Sequence, residues 1–156
     1  ADLNAWQLKG AIAVKEGTKG FNASLLWQQK SAHSFVIQFS GPLGAGKVKI
    51  AKQGLKATLT TEKKTESSSN AEQLLLKHTG HIIPINSLFY WIRGLPNPSQ
   101  PSQLKHDAFG HLKTLKQYGW KIDYVRFTHF KTFDVPAKLI LIKNNIKVKI
   151  IISKWY

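Results

Sequence analysis

The run Ile146-Lys147-Val148-Lys149-Ile150 sets β-branched residues and lysines in strict alternation. A period of two sends successive side chains to opposite faces of a strand, one apolar and one charged. A chain with this pattern must build sheet that is buried on one side only. Lys47-Val48-Lys49-Ile50-Ala51-Lys52 repeats it, and single-parity apolar rows extend it through the first part of the chain. Trp6, Leu8, Ile12 and Val14 form one row, interrupted by Gly10 at an expected bend. Phe21, Ala23, Leu25 and Trp27 form a second, Phe35, Ile37 and Phe39 a third, and Leu55, Ala57 and Leu59 a further one. Turn-forming residues at 17–20, 30–34, 40–46 and 53–54 separate them, the spacing of an antiparallel sheet or barrel.

The period changes in the middle. Ser69-Asn70-Ala71-Glu72 reads as a capping box, with Ser69 as N-cap and Glu72 three residues on. The expected helix runs through Leu74, Leu75 and Lys77 and stops near Gly80. A second helix starts at Pro84, carries Ile85, Leu88, Phe89, Trp91 and Ile92, and ends at Gly94. Residues 95–101 are a Pro-rich surface loop, too short to link two domains. Strands return over 110–117 and, after Tyr118-Gly119, through Trp120, Ile122 and Tyr124. The last two strands, 135–143 and 146–155, flank Asn144-Asn145, whose side chains suit a two-residue hairpin turn. Strands, two short helices, then strands imply an α+β chain with helices inserted into one large antiparallel sheet. The 156 residues are expected to form a single domain, 1–156.

Charge narrows the partners. Lys and Arg number 23 against 8 Asp and Glu, a net +15. Such a chain is drawn to nucleic acid, an anionic membrane surface or an acidic protein. A sheet carrying Trp27, Phe35, Phe39, Trp120 and Tyr124 would stack bases if those rings were exposed beside the lysines. The lysines, however, lie on the opposite parity, and Arg93 and Arg126 are the only arginines. Gly41, Gly46 and Lys47 match the spacing of a phosphate-binding loop, but Val48 stands where the Mg²⁺-binding hydroxyl is needed and a strand follows instead of a helix.

No catalytic constellation emerges. The carboxylates Asp2, Glu16, Glu62, Glu66, Glu72, Asp107, Asp123 and Asp134 are scattered, and there is no cysteine. Ser67-Ser68-Ser69 reads as loop and cap, not as a nucleophile elbow. His78 with His81, and His106-Asp107 with His111, lack metal-ligand spacing. The expectation is a protein that is not an enzyme, with no metal and no cofactor. No run approaches the ~20 apolar residues that span a bilayer. The apolar sheet face needs a cover, and two short helices either close a filled core or roof a cavity for an apolar ligand. Periodicity does not separate these two.

The ordered motifs resemble the LolB family, receptors that take lipoproteins from the periplasmic carrier LolA in Gram-negative bacteria. They are Trp6-x-Leu8-x-Gly10-x-Ile12-Ala13-Val14, then Ala23 with Trp27-Gln28-Gln29, then Gly41-Pro42-Leu43-Gly44. Gly80-x-x-x-Pro84-x-x-x-Leu88-x-x-Trp91-Ile92-Arg93-Gly94-x-Pro96 follows, with Gln117-x-Gly119-Trp120-x-x-x-Tyr124, Val135-Pro136 and a closing strand ending at Trp155. The family begins at an acylated Cys and a polar tether. This chain opens at Ala1 with neither, so a trimmed, soluble form of a lipid-anchored protein is expected.

The resemblance implies an unclosed antiparallel β-barrel, a large curved sheet with a short helical lid over an apolar cavity for acyl chains. On that expectation Trp6, Leu8, Phe21, Leu25, Trp27, Phe35, Ile37, Val48 and Ile50 line the sheet side. Leu75, Leu88, Trp91 and Ile92 close the lid, with Trp120, Ile122 and Tyr124 opposite. It also implies that Pro42, Leu43 and Gly44 form a projecting loop whose apolar tip serves delivery into the membrane. Expected partners are a LolA-type carrier, acylated lipoproteins and the inner leaflet of the outer membrane, at whose periplasmic face the protein works. A monomer without nucleic acid is expected. A basic nucleic-acid-binding module and a carrier of another lipid are the alternatives.

Overall fold

A computed structural model describes residues 5–41 and 46–156. Its strands are β1 (Trp6–Glu16), β2 (Lys19–Ser31), β3 (Ser34–Gly41), β4 (Gly46–Gln53), β5 (Lys56–Thr60) and β6 (Thr65–Ser68), followed by helices α1 (Ala71–Thr79) and α2 (Ile85–Trp91). Strands β7 (Gln103–His106), β8 (Leu112–Gln117), β9 (Trp120–Phe130), β10 (Phe133–Lys143) and β11 (Ile146–Trp155) complete the chain. All eleven strands form one sheet in the order β6-β5-β4-β3-β2-β1-β11-β10-β9-β8-β7. Every neighbouring pair is antiparallel. Two meanders therefore join where the first strand pairs with the last, and β6 and β7 are left as the free edges of an unclosed barrel. The helices sit between those edges in sequence, and α1 packs over β4, β5 and β6.

Alternation builds the core as the pattern requires. Ile12, Val14, Leu25, Trp27, Ile37, Ile50, Leu141, Val148 and Ile150 all face inward and are buried. At an area value of roughly 25 cal/mol per Å² this one-sided burial is the main favourable term in the fold. The bend expected at Gly10 is a register shift between Lys9 and Gly10 against β11. A Cβ on Gly10 would lie 2.0 Å from the Ile151 carbonyl oxygen, so only glycine lets the two backbones come this close. Asn144 takes a positive φ of 53° in the β10–β11 turn, as its side chain permits.

Several local expectations are corrected. The N-cap of α1 is Asn70, whose Oδ1 accepts the Gln73 N–H at 3.1 Å; Ser69 does not cap it. Glu72, expected to close the capping box, instead accepts the Asn86 N–H of α2 at 3.0 Å. Ser67 and Ser68 belong to edge strand β6 and not to a loop, and β7 emerges just after the Pro-rich segment. Leu55 sits in the β4–β5 turn, 89% exposed, instead of starting its row. The start and stop of α2 stand as read, with Pro84 at its N-cap and Gly94 at φ 80° beyond its end.

Candidate acyl-binding cavity

One end of the sheet carries the β1–β2, β8–β9 and β10–β11 turns, and between β3 and β4 the described chain stops at Gly41 and resumes at Gly46. At this end a cavity of about 250 Å³ opens between the inner face and the lid. Phe21 and Ala23 of β2, Phe39 of β3 and Val48 of β4 make its apolar wall, with Ile83 from the connection between the helices. The end of α1 supplies His78 and Thr79 to a polar rim that His81, just beyond the helix, completes. His81 is buried, and its Nδ1 lies 2.8 Å from Glu16 Oε1 at the end of β1. Thr79 Oγ1 donates to the Leu75 carbonyl at 2.7 Å and accepts the His81 N–H at 3.1 Å. A low-polarity pocket with a few polar groups at one side suits an amphipathic ligand, its chain inside and its polar end at the rim.

Of the residues expected to hold acyl chains, Phe21 and Val48 line this cavity, both half-buried. The rest lie deeper. Trp6, Leu8, Leu25, Trp27, Phe35, Ile37 and Ile50 on the sheet, and Leu75, Leu88, Trp91 and Ile92 on the lid, are buried against one another. Trp120, Ile122 and Tyr124 of β9 are buried on the other flank. Trp6 packs against Trp27, Phe89 and Trp155, with ring centroids 5.3, 6.4 and 5.5 Å away, and is stacked only on Phe89 among the three. Its Nε1 is a buried donor with no acceptor among the described residues. Pro42, Leu43 and Gly44 lie outside the described residues, but Gly41 and Gly46 on either side of that segment both border the cavity.

Two residues of the Gln117-to-Tyr124 motif hold α2 in place through polar bonds, a role not assigned to them from sequence. Gln117 Oε1 accepts Trp91 Nε1–H at 2.9 Å and the Asn97 N–H at 2.8 Å. Its Nε2 donates to the carbonyls of Asn97 and Gln100 at 2.7 and 2.9 Å. The Tyr124 hydroxyl donates to the Trp91 carbonyl at 2.6 Å, and burial pushes its phenol well above the ordinary range, so it stays a donor. Phe39, Ile83 and His81 were likewise missed as lining residues. The Phe35-Ile37-Phe39 row carried the signal for Phe39; a short connection between two helices carries none for the others.

Histidine and carboxylate do meet elsewhere. His111 Nε2 and His129 Nδ1 lie 2.8 and 3.0 Å from the two oxygens of Asp134, and these bonds hold its carboxyl below the usual range. Among the described residues, no group of three or more His, Asp or Glu is arranged to hold a metal ion, and no helix is long and apolar enough to cross a membrane.

The family profile described as outer membrane lipoprotein LolB matches residues 4–155. The outer-membrane lipoprotein LolB of Chromohalobacter salexigens is 30% identical over 153 residues, which cover 98% of this chain and 71% of that protein. The protein of the same name from Ectopseudomonas mendocina is 30% identical over 156 residues, covering 99% and 76%. Among solved structures, a LolA superfamily protein from Nitrosomonas europaea superposes with a TM-score of 0.61 at 8% identity, over 97% of this chain and 85% of that one. A DUF1329 family protein from Desulfovibrio piger superposes with a TM-score of 0.57 at 10% identity, with the same coverage. At such identities the likeness concerns the fold alone.

Proposed function

The chain belongs to the LolB family of outer membrane lipoproteins, and from that premise we infer a receptor that binds acylated lipoproteins and places them in the outer membrane, at its periplasmic face. The observation that carries this reading is the apolar cavity at the open end of the sheet, roofed by the end of α1. Exposing acyl chain costs about 0.8 kcal/mol per CH₂, so a multiply acylated protein needs shelter between carrier and bilayer. Hand-over then requires only graded affinities and no bond chemistry. We assign the donor role to a LolA-type carrier and expect the receptor to act as a monomer.

Size gives the mechanism its next step. A volume of about 250 Å³ falls below the roughly 300–1,000 Å³ of pockets for whole small molecules. The cavity therefore takes the leading part of one chain, and the remainder enters by parting α1 from β4 and β5. That movement opens a path toward Leu75, Ile50 and Ile37, and then toward the aromatic cluster. Trp6 Nε1 supports the reading: an ester or amide carbonyl reaching it would satisfy a donor whose isolation costs about 1–3 kcal/mol. Leu43 is proposed to touch the bilayer during delivery, and Leu43→Glu is expected to bind acyl chains normally yet fail to deliver.

The nucleic-acid alternative needs stacking rings in solvent. Trp27, Phe35, Phe39, Trp120 and Tyr124 are all buried, which leaves that alternative without a platform. The test of the receptor reading is displacement of an environment-sensitive fluorescent fatty acid by a triacylated lipopeptide. Saturable displacement is expected, together with its loss in Val48→Asp, a half-buried position where circular dichroism can verify folding. A well-folded wild-type protein that binds neither probe would overturn the reading.

A further inference from the structure

The outer face of the sheet carries a feature visible only once the register is known. Lys15 of β1 pairs with Lys147 of β11, Lys147 with Ile142 of β10, Ile142 with Lys121 of β9, and Lys121 with Lys116 of β8. These residues form one continuous rung across five neighbouring strands, all exposed and all on the outward parity. With strands about 4.8 Å apart, the rung is about 19 Å long. It lies at the end of the sheet where the cavity opens, beside the β8–β9 and β10–β11 turns.

Folding does not ask for this arrangement. Lys15 faces Lys147 directly, and Lys121 faces Lys116 directly, and like charges so placed destabilise a sheet. Two further like-charge pairs lie away from this end, Lys138 with Arg126 in mid-sheet and Lys9 with Lys154 at the opposite end. No residue of the rung is acidic; Asp123, one rung inward, comes within 3.9 Å of Lys121 Nζ. Two apolar groups accompany the lysines. Ile142 is 40% exposed in the middle of the rung, and Tyr118 is 42% exposed in the adjoining turn. Tyr118 holds a positive φ of 55°, which a bulky residue rarely adopts, and its hydroxyl lies 2.9 Å from Ser99 Oγ, so the ring is pinned at the rim.

We propose that the rung Lys15–Lys147–Lys121–Lys116, with Ile142 and Tyr118, is a docking surface for an anionic phospholipid bilayer. Protein–protein interfaces are enriched in Arg and depleted in Lys. Lysine is a compact, well-hydrated point charge, suited to a fluid field of lipid phosphates more than to fixed carboxylate pairs. Tyrosine at the headgroup level and an isolated aliphatic side chain complete an interfacial footprint. The inference rests on the receptor reading for its purpose: it sets the cavity mouth against the membrane that receives the lipoprotein.

The experiment is sedimentation with vesicles of phosphatidylethanolamine and phosphatidylglycerol, at low and at physiological salt, with phosphatidylcholine vesicles as the neutral control. A variant with Lys15, Lys116, Lys121 and Lys147 each changed to Gln is compared with one in which Lys30, Lys56, Lys131 and Lys154, at the opposite end, are changed in the same way. Lipid binding is expected to weaken roughly 5-fold per rung lysine, several-hundred-fold for all four, and far less in the opposite-end variant. Equal loss in both variants would reduce the effect to net charge and overturn the proposal. Unchanged vesicle binding in the rung variant would overturn it too, and if hand-over from an acidic carrier were lost instead, the rung would be a protein dock. Lipopeptide displacement on the same samples separates the two readings: vesicle binding through the rung without lipopeptide binding would sink the receptor reading alone.

Discussion

The two helices of the lid are held to the same sheet by different physics. Helix α2 is fixed by a buried polar network in which Gln117 and Tyr124 bond its indole, its last carbonyl and the segment that follows it. Helix α1 lies on β4, β5 and β6 through Leu74 and Leu75, and its polar ties are at the margins. Lys77 reaches Glu66 at 2.9 Å on the surface, and just beyond its end His81 meets Glu16. Directional bonds in a low-dielectric interior lose most of their value when the geometry shifts, whereas apolar contact is non-directional and tolerates sliding. The lid thus has a fixed half and a movable half, and the cavity sits under the movable one.

Removing the network tests the difference most severely. Gln117→Leu strands Trp91 Nε1–H and the Asn97 N–H and leaves two carbonyls without their donor, so a loss of about 3 kcal/mol is expected in urea denaturation. Hydrogen exchange should accelerate over 85–100 while 71–79 keeps its protection; equal acceleration in both helices would erase the distinction. A smaller effect is expected at Gly80, which joins the halves at φ 79° with nothing among the described residues within 4 Å of an added Cβ. Gly80→Ala therefore meets backbone strain and no clash, about 1 kcal/mol, and the change should appear as faster exchange in α1 alone.

The smallest effect concerns the bond between the helices. Burial raises the Glu72 pKa, only partly offset by the Asn86 N–H and by Lys52. Because the folded state holds this proton to higher pH than the unfolded one, stability falls as pH climbs from the ordinary carboxylate range through the raised value. Glu72→Gln is expected to raise the melting temperature slightly at neutral pH, with the gain vanishing below the carboxylate range. A loss at neutral pH would mean that the charge, not the acceptor geometry, ties α1 to α2.

What the sequence disclosed follows the same division. Alternation located the long strands because one face of each is buried, and Pro84 and Gly94 marked α2 because backbone constraints are local. Strands β6 and β7 read Thr-Glu-Ser-Ser and Gln-Leu-Lys-His, polar segments paired along one edge only, so no periodicity announces them. The cap of α1 is Asn70, one residue beyond the expected Ser69, and Glu72 of the expected capping box accepts a bond from the other helix. The apolar rows identified the inner face but not where along it space opens. That depends on how far α1 extends over β4 and β5, a contact between segments that pattern does not encode. The rung of lysines depends on the register of four strand pairs, one of which joins the two ends of the chain, and was equally out of reach.

The pairing of β1 with β11 has a consequence for how the molecule comes into being. All other strand pairs but this one join neighbours within a meander, so each half-sheet can zip from local turns. The central seam must wait for both chain ends, and loop closure grows dearer by about 0.6 kcal/mol with each doubling of separation. Folding is therefore expected to end at the middle of the sheet, with two preformed halves meeting edge to edge. The same seam makes the chain divisible. Cut within 95–101, the two pieces would each retain a meander and an unpaired central strand, and the match between those strands is the instruction for reassembly.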